Sequence, residues 1–308
     1  MSEADEALTF DSAFSVAYLK QVYLARLANA KFIGLDGLST SRFMQNLDDE
    51  LALINRKVLA GQYKFTRYRE KLIIKGANKN PRQISIPTIR DALVLRALCD
   101  LLTDQFHSSR MRRRHDCTQR VATAAHAASF SDCFLRMDVK NFYPSIVHSI
   151  LLDQLKDKGA VDRSVSLVGS AISNPTGFDQ GAVSAVGVPQ GLSISNILSM
   201  IYLEDFDEYF VKKYNFFRYV DDVLVIANDV SVHEAHDDIA NYMRSKLYLD
   251  THKLDPEQSD KTFISSVDEG TEYLGYHITR QALRIRDRSY KKMFRAIIGC
   301  LRPLKGEA

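Results

Sequence analysis

The feature that most constrains this chain is a pair of adjacent carboxylates, Asp221 and Asp222, set between two short apolar runs. The flanking residues are β-branched or aromatic and include no Gly or Pro, which predicts a strand on each side. Because neighbouring side chains on a strand point to opposite faces, we expect the pair in a hairpin turn, where both can approach one cation. A solvated turn is the alternative. Within an apolar frame, however, two acids are costly unless a metal or a basic group compensates them.

Further polar segments follow apolar elements along the chain. Asp138 comes after Phe134-Leu135 and before a short aromatic stretch with a Pro, which predicts a strand that ends at the acid, then a turn and a helix start. A Gly-rich loop over 187–191 runs into the apolar, helix-like stretch 197–203. The segments 259–262 and 272–276 then bring a Ser-Asp-Lys-Thr sequence and a Tyr-Leu-Gly-Tyr sequence.

These segments, in this order, resemble the palm motifs A to E of reverse transcriptases, at 138, 187–196, 219–222, 261 and 273–276. The chain resembles the prokaryotic reverse transcriptase superfamily, with a palm similar to those of retron and group II intron enzymes. The resemblance extends to the defence-associated and abortive-infection members. It implies an α+β fold, namely right-hand polymerase fingers with an antiparallel-sheet palm and a short or absent thumb. The implied activity is that of an RNA-directed DNA polymerase, a nucleotidyltransferase.

The resemblance also implies a two-metal catalytic centre. Asp138, Asp221 and Asp222 would supply the hard-oxygen ligands of two Mg²⁺ ions, with the Val139 carbonyl as a further ligand and Mn²⁺ as a substitute ion. Asp138 and Asp221 would bridge the metals, and Asp222 would be the less essential acid. Lys261 matches the lysine that protonates the leaving pyrophosphate as a general acid, and an ordinary surface lysine is the alternative.

Residues matching the deoxynucleotide site lie on both sides of Asp138. Tyr143 matches the steric gate, whose ring leaves no room for a 2′-hydroxyl, although a core tyrosine is the alternative. Gln190 matches a residue that contacts the nascent base pair. Lys75 and Arg82 match the fingertip pair that grips the triphosphate, since Arg can fork two phosphate oxygens. Lys71 or Lys79 could replace Lys75 in this role.

Contacts with template and primer are implied for a second group of residues. Gly191 would allow close backbone approach to the template. Tyr273 and Gly275 resemble the primer grip, and a buried structural hairpin is the alternative. Two basic clusters form a candidate phosphate-tracking surface, and a salt-bridged solvated face is the alternative. Their residues are Lys64, Arg67, Arg69, Lys71, Lys75, Lys79, Arg82, Arg90 and Arg96 in the first, and Arg110, Arg112, Arg113, Arg114 and Arg120 in the second.

Local patterns extend the prediction to the whole chain. Residues 1–130 are expected to form N-terminal helices and fingers, 131–287 the palm, and 288–308 the start of a minimal thumb or a tail. Helical periodicity and alternation predict the elements. They are helices over 9–30, 41–61, 90–106 and 231–248, a β-hairpin over 63–87, and short strands over 263–285.

Composition limits the class of protein and its surroundings. The chain has 308 residues, 45% of them hydrophobic, and a net charge of +3, which fits a globular protein with a core. No apolar run approaches the roughly 18 residues that a bilayer crossing needs, so no membrane partner is expected. Four cysteines without paired spacing indicate a reducing, cytoplasmic location rather than a zinc or disulfide framework.

The expected partners are an RNA template, a DNA or RNA primer and dNTPs, with a dedicated non-coding RNA, a partner protein or a second copy left open. The chain has Ser195-Asn196 where the family often has Ser-Pro. This departure favours the phage-defence members over close kinship with retron or group II intron enzymes. Two other functions stay open, namely template-independent or protein-primed DNA synthesis and a catalytically idle nucleic-acid-binding subunit.

Overall fold

The polypeptide folds into two units whose segments alternate along the sequence. The computed structural model describes residues 7–74, 81–107, 109, 113–177, 184–254 and 261–301. Unit 1 comprises Met1–Met111, Asn141–Asp205 and Leu247–Leu249, and unit 2 comprises Arg112–Lys140, Phe206–Lys246 and Asp250–Ala308. The chain therefore passes between the units near Asp138, close to the residues on which the functional prediction depends.

Helices account for most of unit 1, and unit 2 has helices of its own that pack on its strands. Among the described residues the helices are α1 (Phe10–Ala13), α2 (Val16–Val22, extended by a π-helical turn Tyr23–Leu27), α3 (Thr40–Gln45), α4 (Leu47–Leu59), α5 (Ile89–Gln105), α6 (Arg114–His126), α7 (Phe142–Ser145), α8 (His148–Asp157), α9 (Asp162–Ile172), α10 (Ser195–Tyr202), α11 (Glu204–Lys213), α12 (Asp229–Leu247) and α13 (Asp287–Leu301). None of them is both long enough and apolar enough to serve as a transmembrane span within the described ranges.

Over the segments that the structure describes, the strands form three antiparallel sheets. They are β1 (Arg69–Ile73), β2 (Arg82–Ile86), β3 (Asp132–Asp138), β4 (Asn215–Tyr219), β5 (Asp222–Asn228), β6 (Phe263–Ser266), β7 (Thr271–Tyr273), β8 (Tyr276–Ile278) and β9 (Leu283–Ile285). Their orders are β1-β2 in unit 1, and β4-β5-β3-β6 and β7-β8-β9 in unit 2. The predicted α+β class with antiparallel sheets is confirmed.

Unit 1 is organised around α5. Its leucines at 93, 95, 98 and 102 are fully buried, as expected of a helix that is apolar on most sides. The N-cap of the helix is Thr88, whose Oγ1 accepts a hydrogen bond from the Asp91 backbone N–H at 3.2 Å and donates one to Asp91 Oδ2 at 2.7 Å. This cap satisfies one of the backbone donors that every helix start leaves without an intrahelical partner.

The four-stranded sheet of unit 2, β4-β5-β3-β6, has helices packed on both of its faces. Leu224 and Ile226 of β5 cluster with Phe134 of β3 and with Val121 and Ala125 of α6. On the opposite face, Phe216 of β4 is paired in register with Val225, and its ring contacts Phe206 and Phe210 of α11. Because helices cover both faces, β5 is apolar along almost its whole length instead of alternating.

Several predicted elements match the observed ones closely, and others were not foreseen. Helices α5 and α12 lie within two residues of the predicted bounds, whereas the hairpin predicted over 63–87 begins six residues later, at Arg69, and ends at Ile86. The predicted helix over 9–30 is interrupted, because Ser15 caps a new helix after α1. At the start of the region predicted as thumb or tail, α13 carries an apolar face whose residues are 40–52% exposed. They are Tyr290, Met293, Phe294, Ile297 and Ile298.

Candidate active site

Two of the predicted catalytic acids face each other at adjacent strand ends. Asp138, the last residue of β3, is the register partner of Asp222, the first residue of β5. Since side chains alternate along a strand, Arg136, Asp138 and Asp222 share one face of the sheet. Like charges placed directly opposite each other destabilise a sheet, so this pair requires compensating positive charge.

Asp221 lies in the hairpin turn itself, as the sequence predicts. Tyr219 and Asp222 are register partners, which leaves Val220 and Asp221 as the two turn residues. Val220 has a φ of +57°, a left-handed conformation that is costly for a β-branched residue. The Arg218 guanidinium donates a hydrogen bond to the Val220 carbonyl at 2.7 Å and pairs with Asp207, which holds the turn in this conformation.

Asp222 is bound through both of its oxygens. Arg136 Nε donates to Asp222 Oδ1 at 3.0 Å, and Arg136 Nη2 donates to Oδ2 at 3.1 Å. A bidentate guanidinium–carboxylate pair is among the strongest and most directional charged contacts in proteins. Asp222 is therefore paired and oriented by the protein itself, and its lesser role in catalysis stays a prediction.

Asp138 contacts two other basic side chains. Lys261 Nζ lies 2.6 Å from Asp138 Oδ2, and His252 Nε2 lies 3.4 Å from the same oxygen. The histidine is brought there by backbone pairing, since the His252 N–H donates to the Asp138 carbonyl at 3.0 Å and Lys140 N–H donates to the Asp250 carbonyl at 2.7 Å. Burial lowers the pKa of His252, with the Asp138 charge opposing that shift.

Asp221 has a raised pKa, as expected of a carboxyl group close to other acids. Burial raises its pKa, and the negative charges of Asp138 and Asp222 raise it further. In the described part of the chain, no three acidic, His or Cys side chains converge on a single point as a closed metal cage would. Three mutually repelling carboxylates are nevertheless the hard-oxygen donors that Mg²⁺ prefers when it keeps water and phosphate ligands. The donor set therefore fits a divalent ion.

Unit 1 holds the described members of the predicted nucleotide site, Arg82, Tyr143 and Gln190, near or within the loop 187–191. Arg82 Nε donates to Gln190 Oε1, and the Ser85 N–H donates to the Gln190 carbonyl at 2.7 Å. These bonds join strand β2 to the loop. Gly191 has a φ of +105°, and a Cβ there would lie 2.8 Å from Ile84 Cγ2, so no other residue fits without displacement.

Tyr143 is nearly buried in the same unit. It is 9% exposed, and its hydroxyl donates to Asn196 Oδ1 at 2.8 Å. Its carbonyl accepts from the Val188 N–H at 2.8 Å, and its ring centroid lies 5.3 Å from that of Phe142. The residue is thus fixed at both its backbone and its hydroxyl.

The remaining predicted residues are placed as follows. Tyr273 is 1% exposed, so its side chain belongs to the core of unit 2. Leu274 and Gly275 form a two-residue turn with φ of +50° and +95°, as a type I′ hairpin requires. Arg113 precedes α6 and is exposed. Lys75 and Arg112 lie outside the described residues, as do Lys79 and Arg110.

The basic clusters are partly engaged in internal contacts. Arg90 pairs with Glu50 and approaches Asp36 at 3.9 Å. Arg114 Nε donates to the Tyr219 hydroxyl at 3.3 Å and its guanidinium lies over the Tyr219 ring. These two arginines therefore have structural partners, which is the alternative considered from sequence for the clusters.

Sequence reasoning missed three residues that the structure brings to these sites. Arg136 could have been found, because it lies two positions before Asp138 and so shares its face of the strand. Asn196 stands out in the sequence as a departure from Ser-Pro, but no local signal indicates its contact with Tyr143. His252 had no local signal, since its approach to Asp138 depends on pairing between segments more than a hundred positions apart.

The comparison with protein families identifies the class. Residues 73–278 match the family described as reverse transcriptase (RNA-dependent DNA polymerase), which spans more than half of the chain. The chain belongs to this family, as the ordered motifs implied.

Two curated relatives have the same level of identity to the chain. Protein YkfC of Escherichia coli (strain K12) is 26% identical over 194 residues, covering 59% of this chain and 50% of that protein. The putative COX1/OXI3 intron 1 protein of Saccharomyces cerevisiae is also 26% identical over 194 residues, covering 59% of this chain and 22% of that protein. The chain thus spans half or less of the length of these relatives.

Solved polymerases share the fold. A telomerase from Candida albicans superposes with a TM-score of 0.53 at 13% identity, covering 80% of this chain and 50% of that chain. A Sicinivirus RNA-dependent RNA polymerase superposes with a TM-score of 0.52 at 17% identity, covering 78% of this chain and 57% of that chain. These similarities support the predicted polymerase architecture of fingers and palm.

Proposed function

We propose that this protein is an RNA-directed DNA polymerase that adds dNTPs to a primer 3′-hydroxyl. The observation that carries the proposal is the pairing of Asp138 with Asp222 at adjacent strand ends, with Asp221 in the intervening turn. Arg136 and Lys261 offset the charges of Asp222 and Asp138, whereas burial and both neighbouring acids raise the pKa of Asp221, which supports a role for a further cation beside it.

The acids would act together with divalent ions. Asp138 and Asp221 would hold Mg²⁺, or Mn²⁺ in its place, with Asp222 and the Val139 carbonyl in support. When bound, the ions would stabilise charge on the attacking and leaving oxygens of in-line phosphoryl transfer. Lys261 is already in contact with Asp138, and its ammonium would supply the proton that the departing pyrophosphate takes up.

Unit 1 would bind and select the nucleotide. Arg82 would grip the triphosphate through its guanidinium fork. Before the nucleotide binds, the hydrogen bond to Gln190 would hold the Arg82 side chain in position. The ring of Tyr143 would exclude a 2′-hydroxyl by its bulk. Gly191, whose missing side chain leaves room for Ile84 of β2, would present its backbone to the template as the family resemblance implies.

Incorporation of a labelled dNTP tests this proposal. Purified protein with Mg²⁺, a primed RNA template and one labelled dNTP should extend the primer, and Asp221→Asn should abolish the extension. The exposed Asp153 offers a matched control, since Asp153→Asn removes a carboxylate outside the site. Retention of nucleic-acid binding without any extension by the wild type would instead favour the idle binding subunit.

We also propose that the polymerase acts in the bacterial cytoplasm against phage infection. Support comes from the Ser195-Asn196 departure and from four cysteines that are all free thiols, as in a reducing compartment. Phage should form plaques less efficiently on bacteria that express the wild type than on bacteria that express Asp221→Asn. Equal plating across a diverse phage panel would contradict the defence role while leaving the polymerase activity standing.

A further inference from the structure

The ring of Tyr143 is held by contacts at three places. The Val188 N–H donates to the backbone carbonyl of Tyr143 at 2.8 Å, and the Gly187 N–H donates to the Ile146 carbonyl at 2.7 Å. Together these bonds fix the backbone of residues 143–146 against the loop 187–191. Phe142 lies against the ring, and the hydroxyl at its far end donates to Asn196 Oδ1 at 2.8 Å. Backbone bonds do not fix χ1 and χ2 of a tyrosine, so rotation of the buried ring is limited by its packing, and the hydroxyl contact with Asn196 restrains the far end of the ring.

Asn196 is well placed to act as an anchor. It is the second residue of α10, whose first residue, Ser195, donates through Oγ to the Pro189 carbonyl at 2.7 Å. The Asn196 carbonyl in turn accepts from Ser199 Oγ at 2.7 Å. The helix start is therefore tied both to the loop and to its own first turn. The Asn196 carboxamide extends from a backbone with little freedom.

We infer that Asn196 is the positioning residue that sets the sugar selectivity of this polymerase by holding the Tyr143 ring in place. The inference rests on the proposed function, because it concerns how the same site distinguishes deoxyribonucleotides from ribonucleotides. The Tyr143 ring can exclude a 2′-hydroxyl only while it keeps its position, because a ring that rotates away leaves room for the larger sugar. A proline at position 196 would offer no side-chain acceptor, so this anchor is a feature of the present chain.

The role of Asn196 predicts a particular kinetic signature. Asn196→Ala and Tyr143→Phe each remove one partner of the same hydrogen bond, and each should lower the preference for dATP over ATP by about three- to tenfold. The change should come from a higher kcat/KM for ATP, with the value for dATP nearly unchanged. Loss of fold or of catalysis would lower both values together, which distinguishes positioning from a structural role.

Two further variants sharpen the experiment. Combining Asn196→Ala with Tyr143→Phe should cost no more selectivity than either change, because both remove one interaction. Asn196→Asp keeps an oxygen that can accept from the Tyr143 hydroxyl, and its selectivity should stay within about twofold of the wild type. Its added charge affects both triphosphates alike and cancels in the ratio. Asn241→Ala, at an exposed site of α12, is the matched control and should change nothing.

The measurement is single-nucleotide primer extension with dATP and with ATP opposite the same template base. The inference predicts reduced selectivity for Asn196→Ala, retention for Asn196→Asp, and no extra loss in the double variant. It would be overturned if Asn196→Ala kept full selectivity while Tyr143→Ala lost it, because the gate would then need no anchor. A wild type unable to incorporate dATP would overturn the proposed function, and the inference with it.

Discussion

At the level of single residues, the adjacent acids Asp221 and Asp222 differ in their contacts with the rest of the protein. Asp222 is held through both oxygens by Arg136, whereas the pKa of Asp221 is raised by burial and by its acidic neighbours. A carboxylate that the protein has already neutralised orients its surroundings, and one that remains repelled by its neighbours is available to a cation. The two adjacent acids should therefore differ in their contribution to activity.

Substitution of the two acids should separate these roles. Asp222→Asn removes one end of the Arg136 fork and should lower dNTP incorporation by about 10–100-fold, as loss of a supporting contact does. Asp221→Asn removes a direct donor and should cost more than that. Arg136→Lys, which cannot fork, should resemble Asp222→Asn. A double variant of Arg136 and Asp222 should add little further loss, and full additivity in steady-state rates would contradict a shared role.

A buried acid away from the site gives a prediction about pH. Asp91 accepts from the Tyr63 hydroxyl at 2.8 Å and the Thr66 N–H at 3.1 Å, yet burial dominates and raises its pKa above the ordinary value of 3.8. A carboxyl whose pKa is raised by folding favours the folded state at low pH, and this contribution is lost as pH rises through the folded pKa.

The contribution of Asp91 to stability should appear as a pH-dependent difference in the free energy of unfolding between the wild type and Asp91→Asn. Measured against Asp91→Asn, the wild type should lose relative stability as pH rises from about 3.8 towards neutrality. Urea unfolding of both proteins at several pH values, followed by tyrosine fluorescence because the chain has no tryptophan, provides the comparison. A difference that grows in favour of the wild type with rising pH would show that the hydrogen bonds outweigh burial.

At the level of elements, the close packing of the loop 187–191 against β2 depends on Gly191. A Cβ at this position would lie 2.8 Å from Ile84 Cγ2 and 3.1 Å from the Ser85 carbonyl oxygen, and φ is +105°. Gly61, after α4, also has a positive φ, of +66°, but a Cβ there would meet nothing within 4 Å. Comparing substitutions at the two glycines therefore distinguishes the cost of backbone strain, which both share, from that of steric overlap, which only Gly191 has.

Gly191→Ala should destabilise unit 1 by roughly 2–4 kcal/mol, the combined cost of left-handed backbone and overpacking. Gly61→Ala should cost only the backbone term, about 1–2 kcal/mol. Denaturant midpoints for the two variants give the comparison. Equal losses of stability would mean that β2 shifts freely to admit the new methyl group.

The elements that the sequence predicted well are those with strong local signals. Periodic leucines marked α5, and the apolar run before Asp138 marked β3, whose end coincides with the acid. The conformation of Val220 carried no such signal, because a β-branched residue is the least expected at a positive φ. That conformation is maintained by Arg218 through its hydrogen bond to the Val220 carbonyl, which only the folded hairpin shows.

At the level of the whole molecule, the two units are built from segments that alternate along the chain, with exchanges near Asp138 and near Asp205. The division into fingers, palm and thumb at 130 and 287 follows the order of the motifs and stays a prediction. Long-range pairing also brings Asp250–His252 beside β3. Such contacts come from chain topology, which local periodicity does not encode. The acids were predictable from motif order, and their basic partners were mostly not.

The central claim, that this chain copies RNA into DNA, is tested most directly by sequencing its products. Purified protein would receive dNTPs, Mg²⁺ and one of two primed RNA templates of unrelated sequence, with Asp221→Asn as the inactive control. The account predicts DNA complementary to whichever template is supplied, and none from Asp221→Asn. DNA of the same sequence with either template, or with no template, would contradict RNA-directed synthesis and favour template-independent or protein-primed polymerisation.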